Sequence, residues 1–298
     1  MSKAGIRLTT GERIFEVFNL IFMVFLAIIM IYPFWHVLMY SLTPPQLSGG
    51  GGLYLYPKYG FSFESYLGVF KTDILWTGFR TTIIVTLACF AGGTFFCATT
   101  AYPLAKKRLR GRAAFLFLIF FTMLFGGGMI PNYILIKNLG MLDTIWALIF
   151  PGLLGAWNII IMRNFFANIP SALEESARID GANDIRIFFS IILPLSKAVL
   201  ATIGLFIAVG KWNDYMSSML YMNSREKYAL QTVLREIINN SAAMMERAGM
   251  DMNSAKSQIT SESVKTTTII VATAPILIVY PFLQKYFVKG VMVGSVKG

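Results

Sequence analysis

A single histidine, His36, and two cysteines, Cys89 and Cys97, are all that 298 residues hold for metal or thiol chemistry. One histidine removes any multi-histidine metal centre. Both cysteines fall in one apolar run, which points to neither a disulfide framework nor a ligand set, and no metal site is expected. Charge is scarce too: 14% of residues are Asp, Glu, Lys or Arg, where soluble domains carry about 25%. Hydrophobic residues make up 56%. That balance describes a polytopic membrane protein. No G-x-x-x-x-G-K-[ST] occurs; Gly204 to Lys211 comes nearest, with the wrong spacing and Trp212 after the lysine. Without a phosphate-cradling loop, ATP hydrolysis by this chain is not expected. H-E-x-x-H and G-x-S-x-G are missing as well. Asp143, Lys211 and Asp214 lie at the ends of apolar runs. Ionisable groups at membrane depth mark proton relays and buried sites, so neither a proton-coupled carrier nor an enzyme is expected.

The net charge is +11, but no basic stretch interleaved with aromatics stands clear of the apolar runs. A nucleic-acid partner is therefore not expected. The positive residues flank membrane-length runs instead, as the orientation rule for membrane helices requires. Six runs are legible: about Ile14–Tyr40, Gly78–Leu104, Ala113–Ile136, Asp143–Met162, Leu195–Val209 and Thr266–Tyr286. The first is long for a signal-peptide core and lacks a small-x-small cleavage site, so an uncleaved anchor is expected. The second carries small residues at Ala88, Gly92, Gly93, Cys97 and Ala101, suited to close helix packing. The third is broken by Gly126-Gly127-Gly128 and Pro131. Irregular backbone at that depth needs protein or a water-filled cavity around it.

Six spans put both termini on one side. Fifteen of the 26 lysines and arginines fall in residues 1–13, 106–112, 163–197 and the C-terminal end. These mostly short segments carry the orientation signal and mark the cytoplasmic side. The expected organisation is a cytoplasmic N-terminus (1–13), a six-span domain (14–290) and a cytoplasmic tail (291–298). Segments 43–77 and 212–265 are expected outside. In the first, Tyr54, Tyr56, Tyr59 and Tyr66 are expected to rest on the membrane surface, and His36 to be a satisfied interfacial residue. In the second, apolar positions Leu230, Val233, Leu234, Ile237 and Ile238 predict an amphipathic helix over 228–245.

Between the fourth and fifth runs, residues 170–194 read PSALEESARIDGANDIRIFFSIILP. Ser171 and Glu174 have the spacing of a capping box. Gly181 supplies the left-handed residue that ends one short helix. Glu175-Ser176-Ala177, Gly181, Ile191 and Leu193-Pro194 match E-A-A-x3-G-x9-I-x-L-P, with Ser176 replacing the usual alanine. The pattern resembles the EAA loop of permease subunits in binding-protein-dependent ABC importers. An ordinary helical hairpin between spans is the plainer alternative.

The resemblance extends along the chain, through Ile31–Leu42, Ala101–Arg112, Phe125–Gly152, Asn158–Phe166 and Tyr280–Gly298. It is to maltose-type carbohydrate permeases, particularly the branch importing complex oligosaccharides in Gram-positive bacteria. The resemblance implies an all-α, type I importer permease fold in a bacterial cell membrane, with a second homologous permease and two ATPase subunits. It also implies an extracellular solute-binding lipoprotein and an oligosaccharide substrate. ATP and Mg would be bound by the ATPases and no cofactor by this chain. Coupling would run through Glu174, Glu175, Ser176, Ala177, Asp180 and Gly181, with Ile191, Leu193 and Pro194 completing the motif; residues 289–298 could also touch the ATPases. Two other readings stay open: a permease for a peptide or lipid precursor, and a non-transporting membrane scaffold or receptor subunit.

A sugar path needs aromatic platforms beside amide and carboxylate partners. Trp157-Asn158, Trp212-Asn213-Asp214 and Asn132-Tyr133 are the candidate sets; packing or interfacial anchoring is the plainer alternative for both tryptophans, Trp212 above all. Lys211, Arg225 and Lys227 could suit an acidic, uronate-bearing oligosaccharide.

Overall fold

The structure is a computed structural model and describes residues 9–45, 52–57, 59–247 and 261–295. Residues 1–8, part of the 43–77 segment (46–51 and 58), part of the 212–265 segment (248–260) and the last three of the expected tail lie outside. Among the described residues every regular element is helical. The order is α1 (Thr10–Ser41), α2 (Glu64–Phe70), α3 (Asp73–Ala105), α4 (Arg112–Leu124), α5 (Met129–Asn138), α6 (Trp146–Ile149) and α7 (Ala156–Ala167). Then follow α8 (Ser171–Ile179), α9 (Asp184–Ile187), α10 (Leu193–Leu195), α11 (Lys197–Trp212), α12 (Met216–Tyr221), α13 (Leu230–Arg247) and α14 (Ser261–Ser295).

Among the described residues three helices are long and apolar enough to cross a membrane, or up to six if each of three bent pairs is one span. The long ones are α1, α3 and the Glu262–Val279 part of α14. The third expected span is no single rod. α4 and α5 meet at 112° across Gly126–Gly128, with Gly128 at φ +86, a conformation glycine alone adopts cheaply. The fourth span starts at Trp146 and bends by 44° before α7, which leaves Asp143 outside it. The fifth bends by 81° at Ser196, between α10 and α11. Instead of ending before the expected tail, α14 runs on to Ser295.

Two compact units divide the described residues. The first takes those up to Lys71 and those between Asn240 and Val271; the second takes Thr72–Asn239 and those from Ala272 onward. In the first unit, Tyr54 and Tyr66 of the 43–77 segment pack on the end of α1. Tyr54 is 1% exposed, with its ring edge-on to Tyr40 at 4.8 Å. The Tyr54 backbone N–H donates to His36 Nδ1 at 3.1 Å, and Ser41 Oγ lies 2.7 Å from the Tyr66 hydroxyl. Tyr54 is thus a core residue, not a surface anchor, because a buried aromatic here closes the helix end; Tyr56 and Tyr59 remain exposed.

In the second unit α3 is the axis, packed on α7 and α11. A Cβ on Gly92 would stand 3.1 Å from Leu153 Cδ2, and one on Gly93 3.1 Å from Ile207 Cδ1. On α11, a Cβ at Gly204 would meet Phe90 at 2.5 Å. The small face read from the sequence is therefore what lets the three helices close. The break after α6 leaves carbonyls without helical partners. The Cys89 thiol donates to Ile149 O and the Cys97 thiol to Leu153 O, each at 3.7 Å, while Lys211 Nζ donates to Leu148 O at 3.2 Å. Gly152 makes room for that lysine, since a Cβ would sit 2.3 Å from Lys211 Cε. At the other end of α3, Arg112 Nε and Arg163 Nε both donate to Leu104 O. The amphipathic helix expected over 228–245 is α13, whose first turn docks on α3 through Leu230 N–H donating to Thr82 Oγ1 at 2.8 Å.

Candidate functional site: the 170–194 loop

α8 ends as its glycine requires. Gly181 has φ +81, its N–H donates to Arg178 O, and the Ala182 N–H donates to Ala177 O at 2.9 Å. This 6→1, 5→2 pair is a Schellman ending. Asn183 then caps α9 by accepting from the Arg186 N–H at 2.8 Å, a cap the sequence reading missed although Asn two residues after glycine was a visible signal. The start of α8 departs from expectation. Pro170, not Ser171, is the N-cap, and no side chain caps the helix. Glu174 is turned away from its own N-terminus into a salt bridge.

That carboxylate is 5% exposed. It accepts from Lys106 Nζ and, at 3.5 Å, from Arg178 Nη2. Arg178 also reaches Asp184 Oδ1 at 3.1 Å, and Arg108 Nη2 holds both Asp184 oxygens at 2.5 and 2.7 Å. Lys106 Nζ stands 4.4 Å over the Tyr102 ring. The basic turn after α3 therefore does more than mark topology: Lys106 and Arg108 pin both short helices of the loop. Burial of a carboxylate is costly unless it is paired, and here two cations share it.

The motif residues divide by direction. Glu174 is buried, and Ala177, Ile191 and Leu193 pack against the core of the unit. Glu175, Ser176, Asp180, Gly181 and Pro194 are exposed. Beside them stand two bare apolar side chains, Ile179 at 87% and Ile185 at 69% exposure. An apolar knob on a short polar helix is an unsatisfied contact surface. Neither isoleucine belongs to the pattern, so spacing alone could not single them out.

The candidate path residues do not converge as one set. Trp157 is 60% exposed in the first turn of α7, followed by half-buried Asn158. Asn132 is exposed just past the glycine break, and Tyr133 packs inward against the core. Trp212 instead lines an apolar crevice of about 390 Å³ with Phe90, Val209 and Pro275; its indole N–H has no hydrogen-bond partner among the described residues. Asn213 Nδ2 donates to Val209 O, and Asp214 accepts from Lys211 Nζ and the Ser217 N–H. Those two side chains finish one helix and start the next. The three basic residues are similarly occupied: Lys211 with Asp214, Arg225 with Glu236 and Lys227 with Asp143.

Asp143, which the sequence reading placed only at a span end, holds a clasp between two loops. It adopts φ +56 and accepts from the Asn223 and Ser224 N–H groups, the Ser224 hydroxyl and Lys227 Nζ. Lys227 first, then Ser224, keep its carboxyl well below the usual carboxylate range.

Comparison with known proteins agrees with this architecture. The chain is 43% identical over 287 residues to the polygalacturonan/rhamnogalacturonan transport system permease protein YtcP of Bacillus subtilis, covering 96% of this chain and 99% of that one. It is 42% identical over 290 residues to protein LplC of the same organism, 97% of each. It also resembles a chain from the crystal structure of a bacterial ABC transporter involved in the import of the acidic polysaccharide alginate. That match has a TM-score of 0.85 and 32% identity, over 95% of this chain and 100% of the other. The profile for the family described as binding-protein-dependent transport system inner membrane component matches residues 9–293, and the chain belongs to that family.

Proposed function

We propose that this chain is one of two permease subunits in an ABC importer for oligosaccharides, with acidic, uronate-bearing chains as the preferred class. The observation that carries the reading is the 43% identity, over nearly the full length of both chains, with the polygalacturonan/rhamnogalacturonan permease; the likeness to the alginate importer points the same way. A second permease completes the path, and an extracellular binding protein delivers the sugar. Two ATPase subunits, which hold ATP and Mg, bind from the cytoplasm, where both termini also lie; one of them docks on the exposed face of α8, and the second permease takes the other. Recognition of the sugar's charge does not fall to Lys211, Arg225 or Lys227, because each is spent on an internal carboxylate.

Coupling follows from the pinned loop. Closure of the ATPases moves Glu175, Ile179 and Ile185. The Glu174–Lys106 pair passes that motion to the end of α3, and α3 carries α7 and α11 with it. Sugar would meet Trp157 and Asn158 near the bend before α7, with Asn132 and Tyr133 at the glycine break. The test is reconstitution of the full complex with its binding protein and measurement of ATPase stimulation. Oligogalacturonides should stimulate, neutral maltodextrins much less, and peptides not at all. Stimulation by peptides alone would overturn the substrate class.

A further inference from the structure

Beside the coupling loop lies a cavity of about 610 Å³ between the end of α3 and the segment from Asp184 to Phe189. Its walls are apolar: Phe95 and Tyr102 on α3, Phe188 and Phe189 opposite. Phe95 and Phe189 are each about half exposed on its outer side. Its mouth is cationic, with Lys106, Arg108 and Arg110 against one carboxylate, Asp184. Lys106 is neutralised by Glu174, and Arg108 shares Asp184 with Arg178. Arg110 is exposed, with no ion pair among the described residues. Tyr102 is 8% exposed and its hydroxyl has no hydrogen-bond partner among the described residues.

We infer that this cavity holds one anionic phospholipid, with acyl chain against Phe95, Phe188 and Phe189 and phosphodiester at Arg110. Two features select that occupant. A free phosphate would satisfy Arg110 but leave the aromatic walls bare, whereas a zwitterionic lipid would fill the walls but bring a second cation to a mouth already rich in them. The basic mouth also lies just past the end of a membrane-length helix, with Phe95 about three turns back along α3, the depths of a headgroup and of an acyl chain respectively. Only the assignment of the leaflet, the cytoplasmic one, rests on the proposed orientation. A lipid seated there bridges α3 to α9, so the stiffness of the coupling loop depends on membrane composition.

The experiment uses the whole complex in nanodiscs doped with a phosphatidylglycerol bearing a photoreactive acyl chain, with cross-linked peptides mapped by mass spectrometry. Labelling is expected near Phe95 and near Phe188–Phe189. It should be about fivefold weaker with phosphatidylcholine of the same chains and in Arg110→Gln, the effect of about one surface charge. Arg110→Lys should restore it, which separates lost charge from lost fold, and Tyr102→Phe should weaken it. Equal labelling by both lipids, or labelling unchanged in Arg110→Gln, would overturn the inference. So would an absence of labelling by either lipid together with Arg110-dependent binding of inorganic phosphate, which would make the site one for a free anion. Cross-linking of this cavity to the second permease in place of lipid would do the same. The readout is independent of which solute is carried.

Discussion

Lys106, one residue past the end of α3, forms an ion pair with Glu174 in the first turn of α8, and both side chains are largely withdrawn from water at 16% and 6% exposure. The pair ties a spanning helix to the loop proposed to dock on an ATPase. Breaking one partner of a buried pair leaves a charge without compensation, at a cost of about 3–5 kcal/mol; Arg178, at 3.5 Å, recovers part of it. Lys106→Met should therefore uncouple, leaving basal ATPase activity intact but lowering binding-protein stimulation at least tenfold. The double change Lys106→Met with Glu174→Leu removes both charges and should assemble better than either single variant. Sugar-stimulated ATPase measured across this cycle gives the answer; additive losses would mean that the pair does not act as a unit.

Gly181 supplies a different kind of constraint. Nothing lies within 4 Å of where its Cβ would be, so no clash forbids a side chain, but φ is +81. The penalty is backbone strain of about 1–2 kcal/mol for an ordinary residue, more for a β-branched one. Gly181→Val should abolish import at normal membrane abundance, and Gly181→Asn should retain much of it, because Asn tolerates the left-handed region. Transport assays beside immunoblots of the membrane fraction check both. Full transport by the valine variant would remove the bend from the mechanism.

Glu175 faces outward where Glu174 faces in, so the two glutamates should fail differently. Glu175→Lys should weaken docking by presenting a like charge to its partner surface, without loosening α8. Glu16→Lys, exposed on α1, is the control. Co-purification of the ATPases is the measurement: Glu175→Lys should lose them as salt is lowered, and the control should keep them. Ile179→Asp should also lose them, but at every salt concentration, since it removes the most exposed apolar side chain of the helix without adding a like charge.

The limits of legibility follow from what period and spacing encode. Spans, breaks and the glycine ending of α8 are local signals, carried by runs of apolar residues and by the backbone freedom of Gly128 and Gly181. The direction of a side chain is not local. Ser171 and Glu174 have capping-box spacing, yet Glu174 is drawn to Lys106, 68 positions away. Tyr54 looked like an interfacial residue because nothing nearby in sequence shows that Tyr40 and His36 wait for it. Lys211 looked like a free cation until the break after α6 supplied a carbonyl and Asp214 a carboxylate. Long-range pairing decided the first two and, through Leu148, part of the third; Asp214, three residues from Lys211, was within reach of a local reading.

Asp143 gives a pH signature. Its folded carboxyl is held below the ordinary range, chiefly by Lys227 and Ser224. A depressed pKa contributes stability that is fully present above the unfolded value, near 4, and is lost as pH falls through the folded value. The stability gap between wild type and Asp143→Asn should therefore be constant from pH 8 to about pH 5 and narrow below about pH 4. Hydrogen exchange at the Asn223 and Ser224 amides reads the clasp directly. Both should be protected in the wild type across that range and exchange faster in Asp143→Asn. A gap that grew on acidification would contradict the assignment.

The solute path is tested where the geometry leaves side chains unclaimed. Trp157 presents more than half its surface in the first turn of α7, and Asn158 follows it beside Gly155, where a Cβ would stand 2.9 Å from the Asn158 amide nitrogen. An exposed indole beside an amide offers a sugar one apolar face and one hydrogen-bonding edge. Trp212 offers its indole only to an apolar crevice, and Asn213 and Asp214 are tied to the backbone. Trp157→Ala and Asn158→Ala should each raise the half-saturating oligosaccharide concentration for ATPase stimulation about tenfold, the loss of roughly one hydrogen bond or stacking contact. Basal ATPase activity and assembly should not change. Trp212→Phe keeps the crevice filled and should leave the sugar response alone. If Trp212→Phe shifted the response and Trp157→Ala did not, the path would run past α11 instead of α7. If none of the three moved it, the contacts would belong to the second permease.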